Sequence, residues 1–124
     1  VKKDKPSPYA LNYLAYSMAV KKENLDFALN LINKALISNI NNAFFLDTIG
    51  WIQFQKNNYE TSLFYLEKAV FLESSNSEII DHLADCYLKL GRKNEALYEW
   101  KKALHYTNTK EALNLIKIKI KKYE

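Results

Sequence analysis

The 124-residue sequence contains only two glycines, two prolines and one cysteine. Pro6 and Pro8 both precede the first periodic segment, so no proline interrupts the chain from residue 9 onward and long helices are permitted throughout. With only Gly50 and Gly91 available, a glycine-rich phosphate cradle cannot be built, which removes the usual means of nucleotide binding. Cys86 alone cannot form an internal disulfide. The sequence also lacks a run of about 18 apolar residues, so no membrane-spanning helix is expected. Val1 is not followed by a signal-peptide apolar core. The chain is therefore read as a possible segment of a longer protein, with cytoplasm favoured and periplasm open if a leader was removed.

A strong charge of one sign is missing too. The formal charge is +4, but it sits at the ends. Lys2, Lys3, Lys5 and Asp4 give +2 before residue 8. Lys110, Lys117, Lys119, Lys121, Lys122, Glu111 and Glu124 give +3 after residue 106, leaving −1 for the body. A nucleic-acid partner needs a coherent basic track to displace counterions, so none is expected.

What is present is periodicity. Ala28, Ser62 and Ala96 stand 34 residues apart, as do Ala35, Ala69 and Ala103, the large residues Ile32, Leu66 and Trp100, and the row Leu36, Val70 and Leu104. Upstream in each unit lies a large-small pair: Leu14-Ala15, Ile49-Gly50 and Leu83-Ala84. The first step between these pairs is 35, and the polar stretch Lys21-Lys22-Glu23-Asn24 is the expected place for the extra residue. Apolar spacing predicts six helices near 8–21, 25–38, 43–56, 59–73, 77–90 and 94–106. Ser7 with Pro8, Asn42 and Asn76 supply helix starts, and Gly91 supplies a left-handed stop. Small residues along the rows let paired helices approach to roughly 8–10 Å.

A 34-residue helix-turn-helix with these rows resembles the tetratricopeptide repeat over residues 8–106. The run Ile49-Gly50-Trp51 with Tyr65-Leu66-Glu67-Lys68-Ala69 is similar to repeats of bacterial multi-repeat proteins. Ser62 stands where the pattern has alanine, Gln53 occupies the aromatic position that Tyr87 fills, and Ser74 and Asn108 replace the closing proline. The resemblance implies an all-α, right-handed α-solenoid of three repeats (8–42, 43–76 and 77–108), after an N-terminal extension (1–7) and before a capping helix (109–124). It further implies a protein-protein interaction scaffold rather than an enzyme, with no cofactor. The alternative is an architectural or self-associating segment of a larger repeat protein. For the last helix, Asn108 with Glu111 reads as a capping box, and Ala112, Leu113, Ile116, Ile120 and Tyr123 form one apolar face. Leu115 and Ile118 fall outside that stripe and are candidates to meet another copy or a longer chain. Continuing the phase puts Lys117-Ile118 where a large-small pair belongs, which favours a cap over a fourth repeat.

In such a stack the first helix of each unit lines a concave groove. By this resemblance the groove candidates are Tyr9, Asn12, Tyr13 and Tyr16 from the first unit, Phe44, Asp47, Thr48, Trp51 and Phe54 from the second, and Glu78, Asp81, His82 and Asp85 from the third. Phe54 and Tyr13 have a competing reading as core. One end is aromatic and the other acidic, which suits a peptide or helix with an apolar stretch and a basic end. Some repeat proteins clamp acidic chaperone tails with lysine, asparagine and arginine. The matching positions here are Asn12, Tyr16, Thr48, Glu78 and His82, and Glu78 inverts the charge, so that ligand is disfavoured. His82 and Cys86, four apart with Asp85 adjacent, have metal-ligand spacing but too few partners, since His105 lies on another helix. They read as a surface histidine and a packed thiol, with no metal.

Overall fold

The computed structural model describes residues 5–124, so Val1, Lys2, Lys3 and Asp4 of the expected extension lie outside the described residues. The described chain is all-helical: α1 (Pro8–Lys21), α2 (Leu25–Ser38), α3 (Ala43–Gln55), α4 (Tyr59–Leu72), α5 (Ser77–Lys89), α6 (Lys93–Ala103), a 3-10 turn (Leu104–Tyr106) and α7 (Lys110–Tyr123). α1 pairs with α2, α3 with α4 and α5 with α6, while each first helix also meets the next one along, α1 with α3 and α3 with α5.

The starts follow the expected chemistry. Ser7 accepts the amide of Ala10 with Pro8 at the first helical position, Asn42 accepts those of Phe44 and Phe45, and Asn76 accepts that of Ile79. α7 departs from expectation, because Thr109 rather than Asn108 accepts the Ala112 amide, one residue further in. The turns within the second and third pairs share one backbone path, with Asn57 and Gly91 in the left-handed region (φ 66° and 77°) at equivalent positions. The turn in the first pair differs. Here α1 has 14 residues against 13 in α3 and α5, so the extra residue lengthens the helix and is not looped out. The chain then recovers through two left-handed residues, Lys22 and Asn24, with the Lys22 amide on the Ala19 carbonyl and the Glu23 amide on that of Met18.

All the small rows are buried: Ala15, Gly50 and Ala84 in the first helices, and Ala28, Ser62, Ala96, Ala35, Ala69 and Ala103 in the second. Ile32, Leu66 and Trp100 fill the spaces between them and are completely covered. Ser62 keeps an alanine-like role because its hydroxyl donates to the Gly50 carbonyl at 2.7 Å, which satisfies the buried polar atom. One core spans α1 to α3 and a second spans α3 to α7, with Leu36 and Tyr65 packed against both.

α7 closes the stack by burying Ile116 and Ile120 and laying Tyr123 over Trp100, ring centres 5.8 Å apart. Its Ala112, Leu115, Ile116 and Lys119 fall 34 residues after Glu78, Asp81, His82 and Asp85, so it stands in register with the first helices. Ile118, equivalent to the buried Ala84, is not covered by another helix among the described residues and is 65% exposed.

Candidate partner-binding groove

α1, α3, α5 and α7 together enclose an open groove of about 470 Å³. α1 contributes Tyr16 and Val20, α3 contributes Trp51 and Gln55, and α5 contributes Ser77, Glu78, Asp81, His82 and Asp85. The fourth wall is α7, with Ala112, Leu115, Ile116 and Lys119. Six of the sequence-derived candidates (Tyr16, Trp51, Glu78, Asp81, His82 and Asp85) therefore line one cavity. The others separate from it. Tyr9, Tyr13 and Phe44 are exposed beyond the cavity, and Tyr13 at 79% is no core residue. Asp47 and Thr48 are buried, and Asn12 is half-buried beside Thr48. Phe54 packs against the core and stacks on Trp51.

A polar network ties the first helices together. Thr48 Oγ1 lies 2.6 Å from Asn12 Oδ1, joining α3 to α1. His82 Nδ1 lies 2.9 Å from Asp47 Oδ1, joining α5 to α3. Tyr16 donates its hydroxyl to Glu78 at 2.9 Å and sits 3.3 Å from His82 Nε2, joining α1 to α5. His82 is thus a buried link, not the surface group its spacing suggested. Burial pushes its pKa down, but the charge and hydrogen bond of Asp47, with Glu78 and Asp81 nearby, outweigh that and hold it above the ordinary histidine value. Burial, then Glu78, raises the Tyr16 pKa, so the phenol stays a neutral donor.

Trp51 stacks on His82 (centroids 4.0 Å apart) and on Phe54 (4.3 Å), and is half-buried. An indole engaged this way is part of the groove's floor. The acidic end is also modified by the fold. Lys119 reaches across from α7 to Asp81 (2.9 Å) and Asp85 (3.1 Å), and Asp81 additionally accepts the indole N–H of Trp100 at 2.8 Å. Burial raises the Asp85 pKa to about 6, aided by Asp81 and opposed by Lys119.

The spacing that suggested a metal site is divided between different neighbours. His82 turns to Asp47, while the Cys86 thiol donates to the Tyr59 carbonyl at 3.3 Å. Among the described residues no three His, Cys, Asp or Glu are grouped to hold a metal ion, and no helix is long and apolar enough to cross a membrane.

The α3–α4 pair matches the family model described as "Tetratricopeptide repeat" over residues 45–76. Residues 45–76 carry a tetratricopeptide repeat. Solved structures extend the likeness to nearly the whole chain. A thermophilic tetratricopeptide-repeat protein of Thermus thermophilus, TTC0263, superposes with a TM-score of 0.77 at 23% identity, over 91% of this chain and 63% of its own. The first such domain of Spaghetti (RPAP3), bound to the HSP90 peptide SRMEEVD, gives 0.76 at 18% identity over 96% and 94%. The Yersinia enterocolitica type III secretion chaperone SycD, in complex with a peptide of the translocator YopD, gives 0.69 at 17% over 88% and 91%. No curated protein matches the sequence significantly. The fold is thus the helical repeat fold of tetratricopeptide-repeat proteins.

The residues that sequence reasoning missed are those of α7 and the rim residues Val20, Gln55 and Ser77. The 34-residue period does carry the signal for α7, since it puts Lys119 at the position of Asp85 and Leu115 at that of Asp81. Reading Lys117-Ile118 as a broken pair concealed it.

Proposed function

We propose that this chain is a protein-interaction module whose concave groove holds a peptide or helix of a partner protein, with 8–42, 43–76 and 77–108 as its repeats and 109–124 as the cap. The observation that carries this reading is the groove itself: Val20 and Leu115, 56% and 50% exposed, face it from α1 and α7 above a floor of stacked Trp51 and His82. Exposed apolar walls over a rigid, hydrogen-bonded base suit a site for an apolar side chain. Two structural neighbours, Spaghetti and SycD, hold peptides, which supports the same class of function here. The heat-shock tail is not the expected ligand, because Thr48 and His82 are buried at the matching positions and Glu78 is acidic. The test is partner capture from the source cells by the intact chain. Val20→Glu and Leu115→Glu lose the captured protein while Phe71→Glu, on α4 outside the groove, retains it; loss only with Phe71→Glu overturns the assignment.

An architectural role is favoured by a different observation. Ile37 and Phe71 are 34 residues apart on α2 and α4, outside the groove, and are 81% and 84% exposed. Concentration-dependent sedimentation abolished by Phe71→Glu supports that reading; a monomer at every concentration removes it.

A further inference from the structure

The charges in the groove do not balance. Glu78, Asp81 and Asp85 lie three and four residues apart on the lining face of α5. The imidazole of His82 is engaged by Asp47, so among the described residues the three carboxylates face a single ammonium, that of Lys119. Lys119 also displays how a lysine fits here, with its Nζ between two carboxylates and 5.9 Å from the centre of the Trp100 ring. Among the described residues one carboxylate has no ion-pair partner: Glu78, exposed on the groove's rim, accepts the neutral Tyr16 hydroxyl. Beside Glu78 the cavity offers the apolar surfaces of Val20 and Leu115.

We propose that the groove selects a partner segment in which a lysine or arginine is flanked by bulky apolar residues, the cation pairing with Glu78 and the apolar residues packing on Val20 and Leu115. This rests on the peptide-groove reading. Lys119 fills one cationic subsite from within the chain, and the partner fills the other. Charge complementarity of this kind decides which segment enters, while the apolar contacts hold it.

The probe is the peptide acetyl-Ser-Leu-Lys-Leu-Ser-amide, with versions carrying glutamine or glutamate in place of the lysine, titrated to millimolar concentration into the intact 15N-labelled chain. The lysine peptide shifts the resonances of Val20, Leu115 and the Trp51 indole. It binds about three- to fivefold more tightly than the glutamine peptide, as expected for a partly exposed ion pair, and the glutamate peptide binds weakest. In Glu78→Gln, whose melting curve serves as the folding control, the lysine and glutamine peptides bind alike. If they already bind the wild-type groove equally, the cation preference is wrong although the groove is a peptide site. If no peptide shifts groove resonances, both readings fall together.

Discussion

Gly50→Ala isolates the packing on which the repeat depends. In a helix interior alanine is favoured over glycine by about 1 kcal/mol, so propensity alone makes this substitution stabilising. The structure sets a larger opposing effect. A Cβ on Gly50 meets Leu66 Cγ and Cδ2, each at 2.7 Å, and Leu66 is completely buried between α3 and α4. Because Cγ itself is struck, turning the end of the leucine does not relieve the clash, and either χ1 changes inside the core or the helices separate. Overpacking of this kind costs about 1–3 kcal/mol, so after the propensity gain the net expectation is a loss of about 1 kcal/mol, and at most about 2. Leu66→Ala alone should cost about 2–5 kcal/mol by leaving a cavity. In the double variant the methyl introduced in place of the Gly50 hydrogen gains room, giving a favourable coupling of about 1 kcal/mol. Gly91→Ala provides the contrast: nothing lies within 4 Å of its Cβ, its φ of 77° makes it lose stability through backbone strain, and it should show no coupling to Leu66. Urea unfolding followed by circular dichroism measures all four terms. A Gly50→Ala chain more stable than the wild type would refute the close-approach account of the small-residue rows.

Three further outcomes follow from the site. The raised pKa of His82 means that its stabilising contribution is complete below the unfolded value of about 6.5 and is lost as pH rises through the higher folded value. Asp47→Asn should remove that loss and also destabilise the fold by about 3 kcal/mol at pH 6, both read from melts across pH 6–9; parallel wild-type and variant profiles would count against the buried link. Asp85 acts at lower pH. Between pH 4 and 6 the folded chain keeps a proton that the unfolded chain releases, so stability falls as pH rises through this window, and Asp85→Asn should flatten the profile there. Truncation after Thr109 uncovers Trp100 and releases Asp81 and Asp85 from Lys119, so it should lower the melting temperature and promote aggregation; an unchanged monomeric melt would show that α7 does not cap the core.

Much of the fold was legible because it is written in spacing. The alanine rows, the large residues between them and the caps at Ser7, Asn42 and Asn76 are local or strictly periodic features, and the structure realises each. The site was less legible because its properties arise between helices. Spacing puts Asp47, Thr48 and His82 on groove-lining helices, but does not reveal that Asp47 and His82 turn toward each other, that Thr48 turns to Asn12, and that all three disappear from the surface. Trp51 likewise becomes floor through its stacking on His82, a residue 31 positions away. The acidic end is legible from the groove positions of α5 but without its partner, since Lys119 arrives from a helix read as a separate cap.

The central claim is that a partner occupies the concave groove, and site-specific photocrosslinking tests it most directly. A benzophenone side chain placed at Val20 or Leu115 in the groove, or at Ile37 or Phe71 outside it, is irradiated in the source cells. Each site is exposed enough to carry the probe without disturbing the core. The account predicts one shared crosslinked protein from Val20 and Leu115, competed away by an excess of the unlabelled chain, and none of it from Ile37 or Phe71. Crosslinks to that protein from Ile37 and Phe71, with the groove positions silent, would contradict it.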